Sequence, residues 1–369
     1  MKTIGLIRQE YSPSGGAEIF IGNFARALSA FMNCTLIHGG RPWPGLETIE
    51  QIALPAQGLT RVGKKKSFFR SVHSFLAAHH FDITQSHERV PGANIYRLGD
   101  GVHAAWLNYL NKSQYSYRNQ LRKIDPFHKF ILSTEKEIFA QPHSIFIAIS
   151  ELVKSDILEF YKVPEHQIKV ITNGVDTNYF RPPSVYEARA ARDLLKVPFD
   201  APVICFVGSD FKRKGLTELL LAVEDLPEYH VVVAGHDKQF ESAIKHAEMR
   251  GISNRVRFTG PTSDVRSVFW ASDLFVLPSL YDPFANAALE AAACGLPCAI
   301  TRATGFAHEL IELNKAGLEI TRNRDSIRFA IEELYSRRVE LGPRSVQVAR
   351  LKHLESSLIQ WKQLYQTSF

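Results

Sequence analysis

Short apolar runs alternate with segments of helical period along most of the chain. Residues 1–7, 34–38, 81–87, 95–98 and 144–150 read as buried strands, each four to seven residues long and bounded by turn residues. Between them lie helical patterns, such as Ile19, Phe20, Phe24, Ala27 and Leu28, or Val153, Ile157 and Phe160. After the strand at 168–172 comes Asn173-Gly174, then Phe180-Arg181-Pro182-Pro183, a turn-rich stretch that reads as a linker. The alternation then restarts with strands at 203–207, 229–234, 256–260, 274–277 and 298–301. Strands alternating with helices predict a parallel sheet covered on both faces. Because the pattern occurs twice, it predicts two doubly wound α/β domains, over 1–175 and 176–350. A last helix over 351–369, apolar at Leu354, Leu358, Trp361, Leu364 and Tyr365, is expected to return to the first domain.

Parallel α/β sheets present ligand-facing groups just past their strand ends, so those loops carry the candidate chemistry. The most informative is Pro278–Gly295, reading PSLYDPFANAALEAAACG. Asp282 stands in its loop and Glu290 about two turns into the helix that follows. The amides of Phe284 to Ala287 would open that helix and form an anion site. A loop carboxylate, a helix start and a helix carboxylate suit a sugar hydroxyl, a diphosphate and a ribose. A buried crossover with surface acids gives the same string. Gly15-Gly16 lies between strand and helix and would let a ligand approach bare backbone. Asp100 and His103 end a short apolar strand, and Asp210–Gly215 is a basic loop closed by glycine. Neither GxGxxG nor GxxxxGK[ST] occurs, so a dinucleotide fingerprint and a P-loop are absent.

Composition narrows the class. With 369 residues, 45% hydrophobic and 22% charged, the chain suits a two-domain globular protein. No run approaches the ~18–20 apolar residues of a membrane span, and the N-terminus reads as a strand rather than a signal peptide. Cys34, Cys205, Cys294 and Cys298 sit in apolar surroundings and read as buried free thiols of a reducing cytoplasm. Neither they nor the histidines show metal-ligand spacing, so no metal site is expected. The net charge of +6 falls entirely in residues 1–175, the remainder being neutral. A basic first half calls for an anionic partner: a membrane surface, a phosphorylated glycan or nucleic acid, though no nucleic-acid recognition motif is present. Its concentrated segments are 61–70 and 118–137, the second amphipathic. The first reads as a solvated helix entry a little more readily than as an anionic contact, and the second as a basic surface for a bilayer or anionic acceptor or as an ordinary helical pair over the sheet.

Taken together, GSDFKRKG (208–215), VRFTG (256–260) and YDPFANAALEAAACGLP (281–297) resemble the nucleotide-binding domain of retaining GT-B glycosyltransferases of family 4. SPSGGAE (12–18), VPGANIY (90–96), LGDGVHA (98–104) and TGFAHE (304–309) extend the resemblance nearly end to end. Within the family the chain most resembles the glucosyltransferases that add the first glucose to the heptose region of the lipopolysaccharide core. The resemblance implies two Rossmann-like domains facing a central cleft, with the last helix crossing back to the first.

It also implies roles. Arg213 and Lys214 would hold the donor diphosphate and stabilise the leaving UDP, so that no metal or other cofactor is needed. Glu290 would accept from the ribose hydroxyls. Asp282, with the amides near Phe284, Ala285 and Asn286, would hold sugar hydroxyls and phosphate. Ser209, Thr259 and Gly260 would line the nucleotide pocket, Gly15 and Gly16 would approach the diphosphate, and Asp100 would face the transferred sugar or acceptor. Retention would follow a front-face route through an ion-pair transition state. The implied partners are a nucleotide-sugar donor, UDP-glucose first, and a lipopolysaccharide core or related glycolipid acceptor. The implied place is the cytoplasmic side of the inner membrane, bound peripherally. The chain departs from the family at Asp282, where Glu is usual. The shorter acid leaves GDP-mannose, ADP-heptose and UDP-N-acetylhexosamine donors open, and an inactive nucleotide-sugar-binding protein as the non-enzymatic alternative.

Overall fold

The structure, a computed structural model, describes residues 1–10, 16–112, 125–262 and 264–368, with backbone alone for 16–19. It divides into two compact units, Met1–Thr172 with Leu358–Phe369, and Asn173–Ser357. The sequence reading drew these boundaries at 175/176 and 350/351.

The first unit holds a seven-stranded sheet: β1 (Thr3–Ile7), β2 (Asn33–His38), β3 (Glu50–Ala53), β4 (Ile83–Ser86), β5 (Ile95–Arg97), β6 (Ile145–Ala148) and β7 (Ile168–Val170). Their order is β3-β2-β1-β4-β5-β6-β7, every pair parallel. Helices α1 (Gly16–Leu28), α2 (Arg61–Ala78), α3 (His103–Lys112), α4 (Pro126–Phe139) and α5 (Glu151–Tyr161) connect them. Local chemistry starts these helices. Thr60 caps α2 through the Gly63 amide, Asp125 caps α4 ahead of Pro126, and Ser150 caps α5 through the Val153 amide.

The second unit begins with α6 (Val185–Leu195), opened by a reciprocal Ser184/Glu187 capping box. Its strands are β8 (Val203–Val207), β9 (His230–Ala234), β10 (Val256–Gly260), β11 (Leu274–Leu277), β12 (Cys298–Thr301) and β13 (Gly317–Ile320). They form a parallel sheet in the order β10-β9-β8-β11-β12-β13. Around it lie α7 (Phe211–Lys214), α8 (Leu216–Val223), α9 (Phe240–Met249), α10 (Arg266–Trp270), α11 (Asn286–Ala293), α12 (Arg324–Ser336) and α13 (Arg338–Leu351). β11 and β12 are buried throughout, the signature of central strands covered on both faces.

The final helix, α14 (Leu354–Ser368), joins the first unit from Leu358 onward. Trp361, Leu364 and Tyr365 enter the core formed by Ile4, Leu6, Phe24 and Leu28. The Trp361 ring lies 4.9 Å from that of Phe24, and the Tyr365 hydroxyl donates to Gln85 Oε1 at 2.6 Å. All four cysteines are buried free thiols. No helix among the described residues is long and apolar enough to cross a membrane.

In each sheet the strand order reverses between two neighbours, β1 and β4 in the first unit and β8 and β11 in the second. Successive connections leave such a pair toward opposite faces and open a crevice past its carboxyl ends, where open α/β sheets bind their ligands.

Candidate active site

At the second unit's reversal point, β8 runs into the 208–215 loop and β11 into the 278–285 loop. These are the two stretches that the sequence reading had singled out. Phe211 anchors the first loop: its side chain is buried and its amide donates to Asp237 Oδ2 at 2.6 Å. The short α7 then presents Arg213 and Lys214. Gly215, which ends it, has φ +84°, and a Cβ there would lie 2.2 Å from the Pro278 carbonyl oxygen. At Gly208 a Cβ would come within 2.6 Å of the Lys214 stem, so that position leaves the lysine its channel. Arg322 braces the turn from behind, donating to the carbonyls of Arg213 (2.7 Å) and Lys212 (3.0 Å) and pairing with Glu218.

Asp282 is the hub. The residue is only 7% exposed, and both carboxylate oxygens are engaged. Oδ1 accepts from the amides of Ala285 (2.9 Å) and Phe284 (3.4 Å), and Oδ2 from Lys214 Nζ (2.9 Å) and Arg213 Nη1 (3.5 Å). Arg213 Nε also donates to Asp210 at 2.8 Å, and Nη1 to the Tyr281 carbonyl at 2.9 Å. Burial alone would push the Asp282 carboxyl up. Lys214, Arg213 and the Phe284 amide outweigh it and hold it down at about 2. The Asp282 backbone is pinned as well: its amide donates to the Ala303 carbonyl and its carbonyl accepts from Gly305. The TGFAHE segment thus supports the loop from beneath, with the Phe306 and Phe284 rings 5.7 Å apart.

This corrects one expectation. The amides of Phe284 and Ala285 are not free for an anion, because the Asp282 side chain folds back on them. Ala285 has φ +67°, and α11 begins only at Asn286. The amides of Asn286 and Ala287 remain at its N-terminus, where Asn286 Oδ1 accepts from Asn173 Nδ2 at 2.7 Å.

Glu290 lies in the second turn of α11, half-buried and without a hydrogen-bond or ion-pair partner among the described residues. Burial pushes its carboxyl up to about 7, against the opposing pull of Lys214. A half-buried acid of this kind, beside a cation, is a candidate ligand-facing position. Thr259 and Gly260 end β10, where the Gly260 carbonyl accepts from Gly235, and the Ala234 carbonyl accepts from Gly208. Ser209 is exposed past β8. The second-unit residues of the sequence reading therefore all lie at the carboxyl ends of β8, β10 and β11. Asp100 belongs to the first unit, 3.0 Å from Arg8 Nη1. Gly16 opens α1, and Gly15 lies outside the described residues.

Sequence reasoning missed Arg322, Asp237 and Asn173 as supports. Only Asn173-Gly174 carried a signal, and that was read as a turn. Among the described residues no three His, Cys, Asp or Glu side chains gather as a metal site.

The family model for Glycosyltransferase Family 4 matches residues 14–179, and that for Glycosyl transferases group 1 matches residues 189–347. Among curated relatives, D-inositol 3-phosphate glycosyltransferase of Corynebacterium jeikeium is 27% identical over 346 residues, covering 86% of this chain and 82% of its own. Lipopolysaccharide glucosyltransferase WaaG of Escherichia coli is 24% identical over 318 residues, covering 83% and 82%. Among solved structures, WaaG superposes with a TM-score of 0.84 at 19% identity, covering 99% of this chain and 100% of that one. Anabaena HepE with UDP and glucose gives 0.77 at 19% identity, covering all of both chains. Two reversal-point sheets, a family match on each half and end-to-end structural likeness agree. The chain belongs to the GT-B glycosyltransferases, joining a Family 4 domain to a group 1 domain, and is a transferase enzyme.

Proposed function

We propose that the enzyme transfers glucose from UDP-glucose to a lipopolysaccharide core or related glycolipid acceptor, with retention of configuration and without a metal. The observation that carries this reading is the Arg213–Lys214 pair, held by buried Asp282 at the reversal point of the second sheet. Glucose as the sugar is supported by the names of two similar proteins, WaaG as a glucosyltransferase and HepE as a complex with UDP and glucose.

In the reaction the bond between glucose C1 and the diphosphate oxygen breaks, and negative charge grows on the leaving UDP. Lys214 and Arg213 are the cations that meet that charge, so the stabilisation is larger in the transition state than in the ground state. The acceptor hydroxyl oxygen attacks C1 on the face that UDP leaves, and its proton passes to the departing phosphate oxygen. Asp282 is the positioning residue, since its oxygens are already committed to the two cations and two amides. Glu290 accepts the ribose hydroxyls, and the α11 amides that Asp282 leaves free face phosphate.

The same proposal puts the enzyme on the inner face of the cytoplasmic membrane. Exposed Lys66, Arg70 and Lys129 on the adjoining helices α2 and α4 support it. Cosedimentation with phosphatidylglycerol vesicles but not phosphatidylcholine vesicles checks that part.

The deciding experiment is a calorimetric screen of UDP-, GDP- and ADP-sugars, followed by a UDP-release assay with lipopolysaccharide core acceptor. UDP-glucose should bind and turn over only with acceptor, and EDTA should leave the rate unchanged. Exclusive binding of GDP-mannose or ADP-heptose would replace the donor. UDP-glucose binding without any transfer would favour a binding protein.

A further inference from the structure

At the amino ends of β11 and β12, the end of the second sheet away from the candidate active site, lies a groove of about 590 Å³. Every residue that lines it belongs to the second unit. One wall is a face of α13, on which Arg338, Gly342, Val346 and Arg350 recur at every fourth residue. The other is the turn from α11 into β12, Cys294 to Pro297, with Pro182 and Pro183 beside it. Gly342 lets the two walls meet: a Cβ there would lie 2.7 Å from the Gly295 carbonyl oxygen.

Charge in this groove is one-sided. Its one lining acid, Asp273, is already held by Arg192 at 2.9 Å and by the Val203 amide at 2.8 Å. On α13 itself, Glu340 is taken by Arg337 and Arg344. The Cys294 thiol stays neutral, pushed up to about 12 chiefly by burial. Arg338 and Arg350 have no acidic partner among the described residues. Arg338 lies 3.9 Å from the Tyr335 ring centroid and donates to the Tyr335 carbonyl, whereas Arg350 is exposed. Twelve residues of helix set the two cations about 18 Å apart.

The space between them is apolar, lined by Leu296, Pro297, Pro343 and Val346. Val339 in the same wall is exposed, as are Val185 and Tyr186, two and three residues past Pro183. Large apolar side chains gathered in this way around a groove mark a protein contact. β11 and β12 are each paired on both sides, so an added strand finds no ladder here. A helix needs none, and an apolar groove running along α13 suits one. The buried Leu296 and Pro297 form a floor recessed between the walls, where a helix can enter and a flat bilayer surface cannot.

We propose that this groove is the docking site for an amphipathic helix of a partner protein, with an apolar stripe that fills the groove and an acid near each end to meet Arg338 and Arg350. The inference does not depend on which donor or acceptor the enzyme uses.

The test is fluorescence anisotropy with the full chain and a labelled, Ala-rich helical peptide of about 16 residues. The peptide carries leucines on one stripe and a glutamate at each end of it, and a second peptide has lysine at both glutamate positions. The glutamate peptide should bind at least tenfold tighter than the lysine peptide, and the gap should shrink as NaCl is raised. The doubly substituted Arg338→Glu, Arg350→Glu protein should invert the preference, and Val346→Asp should weaken both peptides. Circular dichroism checks the fold of each variant; if Val346→Asp does not fold, the charge exchange alone decides. Absence of saturable binding of the glutamate peptide overturns the proposal, as does equal binding of the two peptides or a preference that survives the exchange. So does a double variant that keeps the peptide preference and loses only cosedimentation with phosphatidylglycerol vesicles, which makes the two arginines a membrane contact.

Discussion

If Glu290 faces the ribose as proposed, UDP binding is pH-sensitive, with a size set by its burial. Its carboxyl lies at 4.5 in the unfolded chain and about 7 in the folded one, chiefly through burial. Below about 4.5 it is neutral in both states. As pH rises toward 7 the unfolded chain ionises it while the folded chain keeps the proton, so stability falls by about 3 kcal/mol and levels off above 7. A ribose whose hydroxyls donate to the carboxylate favours its ionised form. UDP affinity should therefore climb across the same window, by up to roughly 300-fold if the bound acid returns to its ordinary range. The assay is calorimetry with UDP at half-unit steps from pH 5 to 8, in wild type and Glu290→Gln. Phosphate ionisation of UDP itself is common to both proteins and cancels in the comparison. The variant should lose the excess pH dependence, melt higher than wild type at pH 8, and bind UDP more weakly there. Identical pH profiles in the two proteins would refute the reasoning, because a carboxylate facing ribose cannot be removed without altering proton uptake.

Lys214→Ala should lower kcat by about 10²–10³ while circular dichroism stays native, since the cation acts on charge that appears only as UDP leaves; near wild-type turnover would remove the clamp from the mechanism. Asp282→Asn keeps an acceptor for the amides of Phe284 and Ala285 but drops the charge facing Lys214 and Arg213. From a carboxyl lowered from 3.8 to about 2, that should cost about 2 kcal/mol near neutral pH. The contribution is present above pH 3.8 and vanishes as pH falls toward 2, so the two proteins should converge in acid melts; a constant gap would point to packing instead. Trp361→Ala should destabilise the first unit by about 3–5 kcal/mol in urea unfolding, because the ring is fully buried against Phe24; a loss below about 1 kcal/mol would mean that α14 packs there only loosely.

The parts of the fold that sequence made legible share one physical cause. Strands such as LFVL at 274–277 are buried on both faces, so they read as unbroken apolar runs, and the turn residues around them mark their ends. The returning helix was legible for a related reason: Leu358, Trp361, Leu364 and Tyr365 keep a helical spacing that a solvated tail would not need. Elements with a wet face were less visible. β3 and β13 and the helices α12 and α13 went unmarked, and the break at Lys352–His353 that separates α13 from α14 fell inside what reads as one amphipathic stretch.

The site divides along the same line. Arg213, Lys214, Asp282 and Glu290 stood out as candidates in local strings, because each lies near where a strand ends and a helix starts. What each does to the others did not. Lys214 and Asp282 are 68 residues apart and meet only because β8 and β11 are neighbours across the reversal of strand order. That adjacency turns Asp282 from a free loop acid into the group that fixes both cations, and leaves Glu290 as an acid without a side-chain partner among the described residues. It also explains why one methylene can be spared at position 282. A side chain that reaches back to its own helix amides and across to Lys214 at 2.9 Å already spans its partners as Asp. A longer Glu would have to fold on itself to hold the same contacts, or extend past them toward the donor. On this geometry Asp282 selects for cation placement first, and any preference among donor sugars follows from where it leaves Lys214 and Arg213.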